Sequence, residues 1–229
     1  MRLADTVKAN IDAVRAQGGI PQVNHPNYRW SVKPEDLFSI PDGTLLEIWN
    51  GQGGINNLGG SDGAGDSRPS AEGYWDILLS RGKVIWGVGS DDAHNFKEPG
   101  VNDPSGAAPG QAWIMVRAPE LNSAAIRMSL ETGDFYASTG ISLDDVKAGP
   151  TSYAIVVHEE KPGARRYVTR FIGKDGKLLA EVAGVTPSYR LTGRETYVRA
   201  DVIDSNGRRA WTQPEFLDGR AARVMGRKE

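Results

Sequence analysis

Ser90-Asp91-Asp92-Ala93-His94 places carboxylates and an imidazole at the exit of the apolar run VIWGVG. On a strand, residues two apart share a face, so Asp92 and His94 address one point while Ala93 turns away. A carboxylate and an imidazole held together at a rigid strand end are donors for a divalent metal. The plain alternative is that Ser90, Asp91 and Asp92 cap a turn and His94 is a surface residue; taken alone, the stretch divides almost evenly between the two readings. His25 shifts the balance. It follows the apolar run IPQV, and Pro26 biases it toward extended backbone. If these strands are parallel, His25, Asp92 and His94 converge on one rim, where α/β sheets and barrels keep their active sites. The third histidine, His158 in YAIVVHEE, reads as a surface or edge residue.

Glu47 lies between Leu46 and Ile48 in LLEIWNG. A carboxylate buried there is costly unless it meets a cation or several hydrogen-bond donors, so a metal role and a structural salt bridge both fit. Glu47 and Asp91 are the candidates for a general base or for support behind a histidine ligand. Residues 51–66 are rich in glycine and could approach a substrate closely, but they lack the Lys-Ser/Thr ending of a phosphate loop and read as a long loop. Tyr28, Trp30, Trp49, Tyr74, Trp75 and Trp86 suit either a pocket wall or a core.

These residues need elements to hold them. Leu3, Val7, Ile11 and Val14 fall at helical spacing before Gly18-Gly19, which predicts a helix over 2–17. Short strands are expected over 20–23, 44–49, 84–89 and 112–116, a short helical turn at Pro34–Leu37, and helices over 71–80 and 123–132. Alternating helices and strands predict a parallel α/β arrangement to about residue 140. Beyond it, YAIVVH, RYVTRFI, KLLAEV and TYVRADVI alternate around Lys174-Asp175-Gly176-Lys177 and Ser205-Asn206-Gly207, which are hairpin signals. The expected division is therefore an α/β domain over 1–145 and a small antiparallel β module over 146–229, whose basic tail GRAARVMGRKE is a solvated end.

Composition bounds the function. The 229 residues carry 27 basic and 29 acidic side chains and no cysteine. Disulfides, thiolate nucleophiles and cysteine-ligated metals are excluded, so a metal would use His, Asp, Glu or water. A net charge of −2 without long one-sign runs favours a small-molecule substrate over nucleic acid or membrane. No apolar stretch is long enough to span a bilayer and no signal-peptide run opens the chain, so a soluble, cytoplasmic protein is expected.

The blocks GGIPQVNHPN, LLEIWNG, LLSRGKVIWGVGSDDAHNF and GDFYASTGISLDDV, in this order, resemble the later motifs of the PHP (polymerase and histidinol phosphatase) superfamily, in particular its carbaryl-hydrolase-like branch. The resemblance covers roughly residues 1–145. It implies a distorted (β/α) barrel with a two- or three-metal site that activates water for hydrolysis of phosphate or related esters. It also implies His25 as the histidine of the Asn-His-Pro block, Asp92 and His94 as the Asp-x-His ligands, and Glu47 at an acidic motif position. The family's opening His-x-His strand and Asp-His motif are absent, so the fold it implies here is a truncated barrel.

The expected function is a metal-dependent hydrolase, a phosphoesterase first, with Zn, Mn or Fe on His25, Asp92 and His94 and an uncertain number of ions. Two alternatives stand beside it: a metal-independent hydrolase of phosphate, carboxyl or carbamate esters, and a non-catalytic assembly module. A homodimer is expected, because the apolar stripe Leu3-Val7-Ile11-Val14 and the edge of the first strand need cover that a truncated barrel lacks.

Overall fold

Leu3–Ala16 forms helix α1 in the computed structural model, in which residues 2–94 and 108–221 are described. Gly18, at φ 75°, makes the left-handed turn that ends the helix. Of the apolar stripe, Ile11 is buried and Val7 half-buried, while Leu3 and Val14 are exposed. The described chain divides into two compact units, Met1–Trp113 and Ile114–Glu229.

In the first unit, β1 (Gln22–Val23), β2 (Thr44–Asn50) and β5 (Ile85–Ser90) form a parallel sheet in the order β1-β2-β5. Between β2 and β5 the glycine-rich segment carries a small hairpin, β3 (Gly60–Ser61) and β4 (Ser67–Arg68), with Asp62 accepting from the Ala64 and Asp66 amides and from Arg68 Nε. Helix α2 (Ala71–Ser80) begins where the Ser70 hydroxyl accepts the Gly73 amide. Its face of Tyr74, Trp75, Leu78 and Leu79 is fully buried. Trp75 donates from Nε1 to the Ile85 carbonyl at 2.8 Å, which ties α2 to the first residue of β5. A Cβ at Gly87 would meet Ile48 and Trp75 at 2.9 Å, so helix and sheet approach as closely as a bare glycine allows. The aromatic residues split accordingly: Tyr74, Trp75 and Trp86 are core, and Tyr28 is exposed.

The second unit is built mostly from antiparallel strands. Sheet order β11-β10-β13-β14-β7-β6 joins β6 (Trp113–Val116), β7 (Phe135–Ser138), β10 (Tyr167–Gly173), β11 (Lys177–Ala183), β13 (Tyr197–Asp204) and β14 (Arg209–Thr212), with β15 (Glu215–Phe216) on β13. A second sheet has the order β12-β9-β8, from β8 (Leu143–Ala148), β9 (Ser152–Val157) and β12 (Ser188–Arg190). Tyr153, Ile155 and Val157 of β9 share one buried cluster with Phe171 of β10 and Val198, Ala200 and Val202 of β13, so the two sheets of this unit bury a common core. Helix α3 (Ser123–Thr132) is capped by the Asn122 side chain and stopped by left-handed Gly133. Hairpins form at both expected turns: Asp175 and Gly176 take positive φ between β10 and β11, and Asp204 accepts the Asn206 and Arg208 amides between β13 and β14.

This architecture corrects the expectation of a truncated (β/α) barrel. Among the described residues there are three α-helices, mostly antiparallel sheets and no closed barrel. The β6-α3-β7 stretch has the alternation of an α/β unit, yet β7 pairs antiparallel with β14. It therefore belongs to the second unit's sheet rather than extending the parallel one, and the two units part near residue 113. Strand patterns state that a segment is buried, not which strand it meets. The C-terminal stretch from residue 222, read as a solvated end, lies outside the described residues. No helix among the described residues is long and apolar enough to cross a membrane.

Acid stability of the second unit rests partly on one carboxylate. Burial pushes Glu195 up, but hydrogen bonds from the Tyr189 hydroxyl (2.6 Å), the Thr192 hydroxyl (2.7 Å) and nearby amides outweigh it and hold the group down at about 2. Folding thus favours the ionised form. Its stabilisation is complete above the ordinary glutamate value of about 4.3 and is lost as pH falls through about 2. Glu195→Gln should lower unfolding free energy by about 1 kcal/mol near neutrality, after solvent screening, and by progressively less in acid. Melting curves of both proteins across that range test this; a gap independent of pH contradicts it.

Candidate functional site

The parallel order of β1, β2 and β5 sends all three carboxyl ends to one edge of the first unit's sheet. Glu47 of β2 lies just inside that edge, 1% exposed. Each strand end supplies it with a donor. From beyond β1, the His25 amide donates to Oε2 at 2.6 Å; from β2, Asn50 Nδ2 donates to the same oxygen at 3.0 Å; from β5, the Ser90 hydroxyl donates to Oε1. A buried carboxylate is thereby satisfied by neutral donors, and among the described residues it makes no salt bridge.

Asn50 extends the cluster. Its Nδ2 also donates to Asp92 Oδ2 at 3.1 Å, its Oδ1 accepts the Gln52 amide at 2.8 Å, and its backbone exchanges hydrogen bonds with the Asn57 side chain. Regular alternation would point Glu47 and Asn50, three residues apart, to opposite faces of the strand. The register against β5 shifts between Glu47 and Trp49, an irregularity of the β-bulge kind that returns Asn50 to the carboxylate's side.

Asp92 and His94 meet, though not on a strand. β5 stops at Ser90, and Asp92 turns the chain with φ 49°. Asp92 Oδ1 and His94 Nε2 are 3.3 Å apart, with the Asp92 side chain 24% and the His94 side chain 62% exposed. His25 also has positive φ, 29°. Left-handed backbone at a non-glycine residue costs on the order of 1–3 kcal/mol and is retained where the surroundings enforce it. Here the enforcing contacts include the His25 amide to Glu47 and the Asp92 carboxylate to Asn50.

Asp91 points elsewhere. Its oxygens accept the amides of Gly110 (2.9 Å), Gln111 (2.6 Å) and Ala112 (2.8 Å), fastening the chain that leads to β6 against the end of β5. Gly51 makes this possible: a Cβ there would sit 2.5 Å from Gln111 Cβ and 3.2 Å from the Asp91 backbone. Asp91 is thus a loop anchor and Glu47 the hub of the strand ends. The sequence offers both as a general base or as support behind a histidine ligand.

Of the expected metal donors, Asp92 and His94 come together side chain to side chain, and His25 is tied to the same cluster through its amide. Their imidazole and carboxylate chemistry suits a divalent ion. Among the described residues no group of three or more His, Asp or Glu side chains is gathered as a metal would require; Asp92 and His94 are the two of the expected donors whose side chains meet. His158 is engaged with Asp144 at 2.8 Å on the exposed face of the second unit.

Sequence reasoning missed Asn50, Ser90 and Asn27. Asn27 is 1% exposed and donates to the carbonyls of Asn56 and Pro69 at 3.0 and 2.9 Å, while Asn56 donates back to the Asn27 carbonyl, which locks the turn after His25 onto the glycine-rich segment. Its only signal was an asparagine directly after His-Pro. No protein-family model, curated protein or solved structure matches this chain.

Proposed function

We propose that this chain is a metal-dependent hydrolase of esters, phosphate esters first, with its site at the carboxyl edge of the β1-β2-β5 sheet. The observation that carries the reading is the Glu47 cluster: one buried carboxylate gathers donors from all three strand ends, and through Asn50 it holds Asp92 against His94. A network that buries a carboxylate and retains left-handed His25 and Asp92 is built to present side chains at fixed positions. Asp92 and His94 would be the first two ligands; among the described residues no third His, Asp or Glu side chain is gathered with them, and His25 meets the cluster through its backbone amide. A divalent ion held by these residues would supply a water of lowered pKa and polarise the scissile group. Asn50 orients the Asp92 carboxylate by donating to one oxygen, leaving the other turned to His94. Glu47 is buried, 1% exposed, and acts as a positioning residue. Asp91 keeps the 110–112 segment beside the rim.

The test is elemental analysis of the purified protein together with hydrolysis of p-nitrophenyl phosphate before and after dialysis against a chelator. About one or more equivalents of Zn, Mn or Fe, with activity lost on chelation and restored by metal, is the expected result. Activity that survives complete metal removal supports the metal-independent alternative instead.

A further inference from the structure

We infer that Asn206 is a site of spontaneous covalent modification, deamidation to aspartate and isoaspartate, and that the fold protects the same dipeptide at Asn50 from it. Asn-Gly occurs twice in the sequence, at Asn50-Gly51 and Asn206-Gly207. The chemistry belongs to the dipeptide. The deprotonated backbone nitrogen of the glycine attacks the asparagine Cγ, a C–N bond forms, the bond to the side-chain nitrogen breaks, and ammonia leaves. Water then opens the resulting succinimide at one carbonyl or the other, giving aspartate or isoaspartate, with no oxidant or reductant involved. Glycine favours the attack because it has no Cβ to obstruct the approach and its backbone turns freely. By sequence alone the two pairs are equivalent.

The structure separates them. Asn206 lies at the tip of the β13–β14 hairpin, where residues 205–208 are all exposed. Its backbone amide donates to Asp204 Oδ1 at 2.8 Å, but its side-chain amide makes no hydrogen bond among the described residues and can turn toward Gly207. Gly207, at φ 80°, donates its amide to the Asp204 carbonyl at 3.0 Å, a turn bond at an exposed tip that opens at little cost. Asn50 is 2% exposed; its Nδ2 donates to Glu47 Oε2 at 3.0 Å and Asp92 Oδ2 at 3.1 Å, and its Oδ1 accepts the Gln52 amide at 2.8 Å. The attacking nitrogen is held too: the Gly51 amide donates to the Ser90 carbonyl at 2.7 Å, and a Cβ on Gly51 would lie 2.5 Å from Gln111 Cβ. Succinimide formation at Asn50 therefore requires the Glu47 cluster to open, whereas at Asn206 a fluctuation of the hairpin tip suffices. Isoaspartate at 206 lengthens the main chain by a methylene and draws the following amides away from Asp204, whose side chain is 0% exposed and accepts the Arg208 amide at 2.9 Å.

The test ages the purified full-length protein at mildly alkaline pH, both folded and in concentrated urea, and follows the two asparagines by peptide mass spectrometry after digestion in acid. In the folded protein Asn206 should convert about 100-fold or more faster than Asn50, a factor set by the free energy of opening the buried cluster. In urea the two should convert at similar rates. The melting temperature of the wild type should fall as residue 206 converts, and that of equally aged Asn206→Gln should hold. Comparable rates at the two sites in the folded protein, or a rate at Asn50 that urea does not raise, overturns the inference. A melting temperature that changes equally in both proteins, or in neither, contradicts the consequence drawn for the Asp204 turn.

Discussion

Replacing His94 by alanine should lower kcat/KM on p-nitrophenyl phosphate by on the order of 100-fold or more and reduce bound metal per chain, with unfolding free energy changed by less than about 0.5 kcal/mol. The asymmetry follows from where the side chain lies. It is 62% exposed and has one polar contact among the described residues, Asp92 Oδ1 at 3.3 Å, so truncation removes little buried apolar area and strands no buried donor. A turn-capping histidine would leave turnover untouched when removed. A ligand would not, because the Asp92 carboxylate left from the pair supplies one oxygen donor and holds a divalent ion weakly. Metal content, kcat/KM and a urea unfolding curve on the same preparation decide the matter: full metal occupancy with unchanged turnover returns Asp92–His94 to a surface ion pair.

Much of the local structure was readable from the residues. The stretch Leu3–Ala16 is a helix because Leu3, Val7, Ile11 and Val14 repeat at helical spacing up to Gly18, and α2 and α3 start at capping Ser70 and Asn122 as side chains of that kind dictate. The pairing of strands was not readable. Trp113–Val116 and Phe135–Ser138 flank a helix as strands of a βαβ unit do, and nothing within them announces that β7 will be hydrogen-bonded to β14, some seventy residues on. That choice belongs to the shared apolar core of the second unit, in which residues far apart in sequence cooperate.

The candidate site was legible to the same depth only in the residue types that compose it. Buried acid and strand-end imidazoles stand out by type, which is why His25, Glu47, Asp92 and His94 could be chosen from the sequence. Asn50 and Ser90 could not. Asparagine and serine are ordinary turn residues, and the rule of alternate faces assigned Asn50 to the side away from Glu47 until a register shift reversed it. Asp91 shows the converse: adjacent to Asp92 and equally acidic in type, it is consumed by three amides of residues 110–112, a contact between segments that neither segment's pattern encodes.

Glu47 should separate two substitutions sharply. In Glu47→Ala, the His25 amide, the Asn50 side-chain amide and the Ser90 hydroxyl all lose their acceptor at a position that is 1% exposed, with Asn50 itself 2% exposed. Stranding several buried donors and leaving a cavity should cost about 3–5 kcal/mol and release His25 and Asp92 from their left-handed backbone. Glu47→Gln keeps the shape. Its carbonyl oxygen can take the place of Oε2, accepting from His25 and Asn50, while its amide faces Ser90, whose hydroxyl rotates from donor to acceptor. The loss is then only the charge-assisted part of those bonds, about 1 kcal/mol. Because Glu47 is buried behind the rim, Glu47→Gln should also keep most of the hydrolytic activity, whereas a general base would lose it with the charge. Urea unfolding of both variants and kcat/KM of Glu47→Gln test the two halves together. Equal destabilisation by alanine and glutamine would mean that the charge, not the donor geometry, holds the strand ends, and a stable but inactive glutamine variant would make Glu47 a participant in the chemistry instead of its support.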